Sequence, residues 1–290
     1  MNKGISSRAR QEAPSPGATP RRGPAFLAGA LFTVSGALGL GYQLVWIRKA
    51  TLIVGASQIA LSTVLTSFFL GLALGSLAVG GHLRSRRFSS LFVYGLFEAG
   101  IGLYALAFPV LFHWVEVSYG ALYGAVAGSA QALFLLRFAL LFVLFLAPTF
   151  LMGGTLPLLL DGLVERDASV GSLTSLLYGL NIVGAVAGVL VTGYFAIPHL
   201  GMNGTSFYAG IGNLCIAALA LSTFRRVAPL HAPPTSRIPG PGAFFCVLSV
   251  LSGLTTIGYQ VAWARYFSLF KTASMYLTAI LLAVFLAALA

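Results

Sequence analysis

The chain has 290 residues, 58% of them hydrophobic and only 8% charged, where soluble domains carry roughly 25% charged residues. So few charges cannot cover the surface of a soluble domain of this length, so the composition excludes one and calls for lipid as the surrounding solvent. The net charge of +11 does not signal a nucleic-acid partner, because the basic residues lie in the N-terminal tail and between apolar runs, where a positive-inside bias puts them.

In chain order, residues 1–23 are polar, basic and rich in Pro, Ser, Gly and Arg, which predicts a disordered cytoplasmic tail. The apolar run from Pro24 to Ile47 is too long for the core of a signal peptide and reads as a retained helix. A helix that crosses a bilayer needs about 20 mostly apolar residues. Eight stretches qualify: 24–47, 52–80, 90–112, 132–160, 170–196, 203–223, 242–264 and 269–290. The sequence therefore predicts an all-α integral membrane protein of about eight transmembrane helices. Residues 117–129 are apolar but too short to span and read as a loop or interfacial turn. Twelve Lys and Arg fall in the tail and in the loops after the second, fourth and sixth stretches, against four on the other side. That places the N-terminus in the cytoplasm, with 224–241 as a cytoplasmic linker, and implies a multi-pass protein of the cell inner (plasma) membrane. Cys215 and Cys246 lie in apolar runs without ligand spacing and read as small packing residues.

An internal repeat organises the chain. Residues 35–48 (SGALGLGYQLVWIR) and 252–265 (SGLTTIGYQVAWAR) match at seven of fourteen positions with an offset of 217. Hydrophobicity explains matched Leu and Ala; it does not explain matched Tyr42/Tyr259, Gln43/Gln260, Trp46/Trp263 and Arg48/Arg265. The first stretch thus repeats in the seventh, facing the same way, a period of six helices. Parallel six-helix halves are the arrangement of major facilitator transporters. On this reading 24–223 is one six-helix half and 242–290 holds the first two helices of a second. Such a chain leaves polar faces such as that of Gln260 uncovered, and calls for more chain, a second polypeptide or a homo-oligomer.

Four segments together carry a resemblance: SGALGLGYQLVWIR, GLALGSLAVGGHLRSRR at 71–87, APTFLMGGTLPLLL at 147–160 and LLYGLNIVGAVAGVLVTGYFAIPHLG at 176–201. They resemble the membrane portion of bacterial fused major-facilitator/spermidine-synthase-like proteins, over roughly 24–290. The resemblance implies a transporter-like bundle and, elsewhere in the family, a soluble aminopropyltransferase-like domain. No strand, glycine-rich loop and helix with a downstream acid is found here, so the expectation is a chain that is not itself an enzyme and binds no cofactor. GHLRSRR at 81–87 also resembles the facilitator motif G-x-L-x-D-R, with Ser85 where the family has Asp.

Among single residues, Glu98 stands out, because a carboxyl in the hydrocarbon region is costly and marks a functional site by default. It lies about 12 Å from the cytoplasmic end of its helix; Tyr178 and Asn181 reach about 12 and 16 Å from the same side and are candidate partners. The other reading of Glu98 is a protonated group bonded to neighbouring helices as structural glue. Arg137 enters the fourth helix from the outside and either meets Glu98 or snorkels outward. Tyr42, Gln43, Trp46 and Arg48, with Tyr259, Gln260, Trp263 and Arg265, fall at the outer ends of their helices. They read either as an interfacial belt with basic anchors or as a pseudo-symmetric polar site at the outer mouth. Gly71/Gly75 and Gly184/Gly188 have small-xxx-small spacing and predict close helix packing. Pro148 with Met152, Gly153 and Gly154 is a candidate break in the fourth helix. The four histidines are dispersed, without metal-ligand spacing. The functions in view are a transporter-like module for a small molecule such as a polyamine or related product, and a membrane platform for a synthase-like domain.

Overall fold

In lipid, a backbone amide finds no water, so an apolar run can satisfy its N–H and C=O groups only within itself, as helix. The computed structural model describes residues 22–55, 57–81, 89–163, 170–225, 242–270 and 275–289, and within them the ordered structure is helical throughout. The helices are α1 (Arg22–Val54), α2 (Ser57–Gly81), α3 (Ser90–Val126), α4 (Ala130–Leu163), α5 (Val170–Val191), a π-helical turn (Thr192–Ala196), α6 (Ile197–Phe224), α7 (Ala243–Phe270) and α8 (Met275–Leu289). Six helical runs are long and apolar enough to cross a membrane, the α5–π–α6 run counting as one, and α8 adds a shorter apolar helix. Residues 1–21, the loop bearing Ser85 and most of 224–241 lie outside the described residues, while Arg22 and Gly23, expected in the tail, open α1.

Three local expectations are corrected. Residues 117–126 are not a loop: α3 runs on to Val126, 37 residues in all. Nothing in that stretch interrupts a helix, since Gly120 and Gly124 face open space and no proline intervenes. The turn comes only at Ala127–Ser129, where the Ser129 hydroxyl takes the Ala132 amide at 3.3 Å and starts α4. Nor does Pro148 break α4, which is continuous to Leu163. Proline removes the amide that would bond the carbonyl four residues back, here Leu144. The Tyr104 hydroxyl of α3 donates to that carbonyl instead. Finally, the junction between the fifth and sixth stretches is helical as far as Leu200 and breaks only at Gly201, where two helices meet. A straight run of 54 residues would measure about 81 Å. It bends at Gly201, whose φ of 68° is open to glycine and strained for other residues.

Packing is closest where glycine replaces a side chain. A Cβ at Gly75 would lie 1.9 Å from the Phe150 carbonyl oxygen on α4, and one at Gly188 would lie 2.1 Å from the Ala37 carbonyl oxygen on α1. Both small-residue spacings therefore pack as their sequence suggests, one seating α2 on α4 and the other seating α5 on α1. The pairings follow a pattern. α2 lies along α4 and α5 along α1; α3 lies along α6, and α1 also meets α4. Exchanging 1 with 4, 2 with 5 and 3 with 6 maps this set of pairs onto itself. The reciprocal glycines obey the same exchange: Gly153 of α4 abuts Leu72 of α2, and Gly36 of α1 abuts Asn181 of α5.

α7 and α8 are attached to this bundle unequally. α8 is seated against α5 and the π turn: Ala279 is fully buried, a Cβ at Gly193 would lie 2.7 Å from the Ala279 Cβ, and the rings of Tyr194 and Tyr276 are 5.0 Å apart. α7 packs on α8 and α2 and is mostly exposed, yet Gln260 is buried. The expectation that Gln260 lacks cover is thus corrected, because α7 turns this face inward.

Candidate functional site

Glu98 is fully buried on α3. The Ser35 hydroxyl of α1 donates to its Oε1 at 2.6 Å, and the Asn213 amide of α6 donates to its Oε2 at 2.6 Å. The Asn213 carbonyl oxygen in turn accepts the Tyr42 hydroxyl of α1 at 2.6 Å. Tyr94, one turn before Glu98 on α3, has a fully buried hydroxyl that lies beside the carboxyl. Three helices thus converge on one carboxyl through two direct bonds and one relayed bond. Each polar group is there because a neighbour from another helix requires it: an amide or carboxyl in hydrocarbon must be met inside the protein.

The surroundings are apolar and rigid. Tyr42 stacks on Trp46 with ring centres 5.9 Å apart, and Trp46 stacks on Phe145 at 5.2 Å. Trp46 is 2% exposed, which corrects the interfacial-belt reading for the first copy of the repeat. Buried aromatic packing between α1, α3 and α4, not the headgroup region, explains this tryptophan. In the second copy Tyr259 and Trp263 are exposed and Trp263 stacks on Phe267. The repeated tyrosines and tryptophans therefore occupy unlike environments, whereas Gln43 and Gln260 are both buried.

The other candidate residues disperse. Asn181 donates to the Phe32 carbonyl of α1 at 3.0 Å, and Tyr178 is exposed; the groups found on Glu98 are Ser35 and Asn213 instead. Arg137 does not meet Glu98. Its guanidinium donates to the Tyr119 hydroxyl at 2.6 and 2.9 Å and to the Val54 carbonyl at 3.3 Å, and lies over the Tyr119 ring. Gln43 is buried on α1, Arg48 is half-buried, and Arg265 is exposed on α7. Asp161 accepts the Ser90 hydroxyl at the start of α3. Cys215 is exposed rather than packed. Among the described residues no three His, Cys, Asp or Glu gather as metal ligands. The residues that sequence reasoning passed over are Ser35, Tyr94 and Asn213. Asn213 carried a signal, an amide inside the apolar run GIGNLCIA, which demands a partner.

The chain is similar to enzymes. It is 29% identical over 206 residues to polyamine aminopropyltransferase 2 of Streptomyces coelicolor, covering 69% of this chain and 35% of the relative. It is 28% identical over 214 residues to polyamine aminopropyltransferases 2 and 1 of Ralstonia nicotianae, covering 73% of this chain and 38% and 37% of the relatives. The chain therefore spans little more than a third of the length of the curated relatives it matches. No protein-family model matches it, and no solved structure does. The expectation that the chain is not an enzyme is overturned by these names, because the similarity to aminopropyltransferases runs through about 70% of it.

Proposed function

We propose that the chain is the membrane module of a polyamine-handling protein of the aminopropyltransferase kind. In this reading it is a major-facilitator-like bundle of eight spans in the inner membrane, with a cytoplasmic N-terminus, that moves a polyamine or related product. The observation that carries it is the alignment of a chain of membrane-length apolar helices with polyamine aminopropyltransferases. The helix pairing supports the architecture: a set of pairs that survives the exchange 1–4, 2–5, 3–6 is what a 3+3 inverted repeat within a six-helix half produces. The bend at Gly201 supports counting α5 and α6 as two spans, giving eight. Glu98 is the ion-binding residue of the module, since it is the described carboxyl held deepest inside the bundle.

The test is uptake of labelled diamines and triamines by proteoliposomes. Accumulation above protein-free vesicles is expected, with loss in a folded Glu98→Gln variant. Equal uptake with and without the protein sinks the transport reading. The names of the relatives favour a second reading, in which the helices hold an aminopropyl-transfer activity at the bilayer. Given a sulfonium aminopropyl donor and a diamine, membranes containing the protein would then form the triamine, releasing the donor's thioether and a proton, and membranes lacking it would not.

A further inference from the structure

The carboxyl of Glu98 could serve a metal ion, an ammonium group or a proton, and its surroundings discriminate among them. Both oxygens already accept bonds, from Ser35 and Asn213, and the group is fully enclosed. A hard metal cation needs six or more oxygen ligands, whereas the groups around Glu98 are arranged as donors. An ammonium group must displace one of those donors and open the packing around Tyr42 and Trp46. A proton needs no space. Each carboxyl oxygen has a second lone pair, so one can be protonated without breaking either bond. What a protonated carboxyl then requires is an acceptor, and a buried hydroxyl lies beside it on Tyr94.

We propose that Glu98 is a proton-binding site and that Tyr94 is its positioning residue, a hydroxyl rotor that donates to the ionised carboxyl and accepts from the protonated one. The proposal deepens the reading of Glu98 as an ion site and holds whatever the cargo is. A phenol is suited to the task because one O–H and its lone pairs serve both states by rotation about a single bond. Asn213, held in place by Tyr42, cannot rotate without giving up that bond. The groups facing Glu98 supply no competing charge. α3 contributes Tyr94, α1 contributes Ser35 and, through Asn213, Tyr42; α6 contributes Asn213. On α4, Arg137 is engaged with Tyr119 and Asp161 with Ser90, near opposite ends of that helix. On α6, His199, Tyr208 and Cys215 are exposed. Lys49 of α1 sits over Phe112, and Arg48 lies close to the same end.

The test is infrared difference spectroscopy of the purified protein in lipid, titrated from about pH 4 to about pH 10 to bracket the range of carboxyl groups. A protonated-carboxyl carbonyl band is expected to titrate, to vanish in Glu98→Gln and to shift in frequency in Glu98→Asp. Tyr94→Phe, which packs the same ring without the rotor, is expected to change proton affinity by about 3- to 10-fold, the worth of one hydrogen bond, and to shift the band. Circular dichroism confirms that each variant is folded. A Glu98 band that stays unchanged across the whole range overturns the proton site. A Tyr94→Phe variant with the wild-type midpoint and frequency overturns the rotor. Neither outcome depends on polyamine uptake, so the transport reading stands or falls separately.

Discussion

Pro148 withholds an amide from α4, and Tyr104 answers it from α3 by donating to the Leu144 carbonyl that the proline leaves free. The hydroxyl and the proline should therefore be coupled. Tyr104→Phe is expected to destabilise the protein by about 0.6 to 1.5 kcal/mol, the range for such bonds in membranes and cores. The same change in a Pro148→Ala background, where the backbone bond returns, should cost clearly less. Thermal unfolding of the four proteins in one detergent measures the coupling, and equal costs in both backgrounds would falsify the pairing. The same logic explains what could be read of the Glu98 site from sequence. A carboxyl in an apolar run announces itself, because its burial is costly wherever the helix goes. Its partners do not, since Ser35 lies 63 positions away and Asn213 lies 115 away, and only the packing of α1 and α6 on α3 selects them. Asn181, plausible by its depth, faces the Phe32 carbonyl instead.

At the level of the helix, glycine spacing is the feature that sequence conveys best, because a missing side chain leaves one use in lipid, letting another backbone approach. Gly75→Ala and Gly188→Ala should each destabilise the bundle by about 1 to 3 kcal/mol or more, the usual cost of overpacking, since the added carbon meets backbone rather than a movable side chain. Gly80→Ala, with nothing within 4 Å, is the control. Monodispersity and thermal unfolding read the difference, and wild-type stability in Gly75→Ala would contradict the packing of α2 on α4. Helix ends conveyed less. Residues 117–126 lacked the length of a separate span but also lacked any breaker. They extend α3 to about 55 Å, and the Tyr119 side chain there receives Arg137 of α4. An apolar run ends where the chain is forced to turn, which here is Ala127–Ser129, rather than where the hydrocarbon ends.

On the scale of the molecule, the recurrence of Tyr, Gln, Trp and Arg at an offset of 217 is legible in the sequence. The exchange of helices 1–4, 2–5 and 3–6 is not, since it is a symmetry of pairing that requires no shared residues beyond small ones at the contacts. Orientation rests on the distribution of Lys and Arg and is testable directly. With Cys215 and Cys246 replaced, a single cysteine at Ser129 should react with an impermeant thiol reagent from outside the cell and one at Ser85 should not; the reverse pattern inverts the topology. The attachment of α8 yields the sharpest prediction about assembly. α7 is mostly exposed, so the pair α7–α8 depends on the seat that α8 finds against α5 and the π turn. That seat is made by an absent side chain at Gly193 facing Ala279 and by the Tyr194–Tyr276 ring contact. A π turn shifts the register of the helix by inserting a residue, and such turns concentrate at functional positions; here it lies where Gly193 meets α8. Cysteines placed at Tyr194 and Tyr276, again without Cys215 and Cys246, should therefore form an intramolecular disulfide under mild oxidation. Gly193→Val puts an isopropyl group into the seat and should lower the yield of that cross-link several-fold. It should leave the α1–α6 bundle folded, because Gly193 faces Ala279 and only the flexible end of Leu44 within the bundle. Failure of the cysteines to cross-link in folded protein would mean that α8 does not sit on α5. An unchanged yield in Gly193→Val would mean that it sits there without needing the glycine.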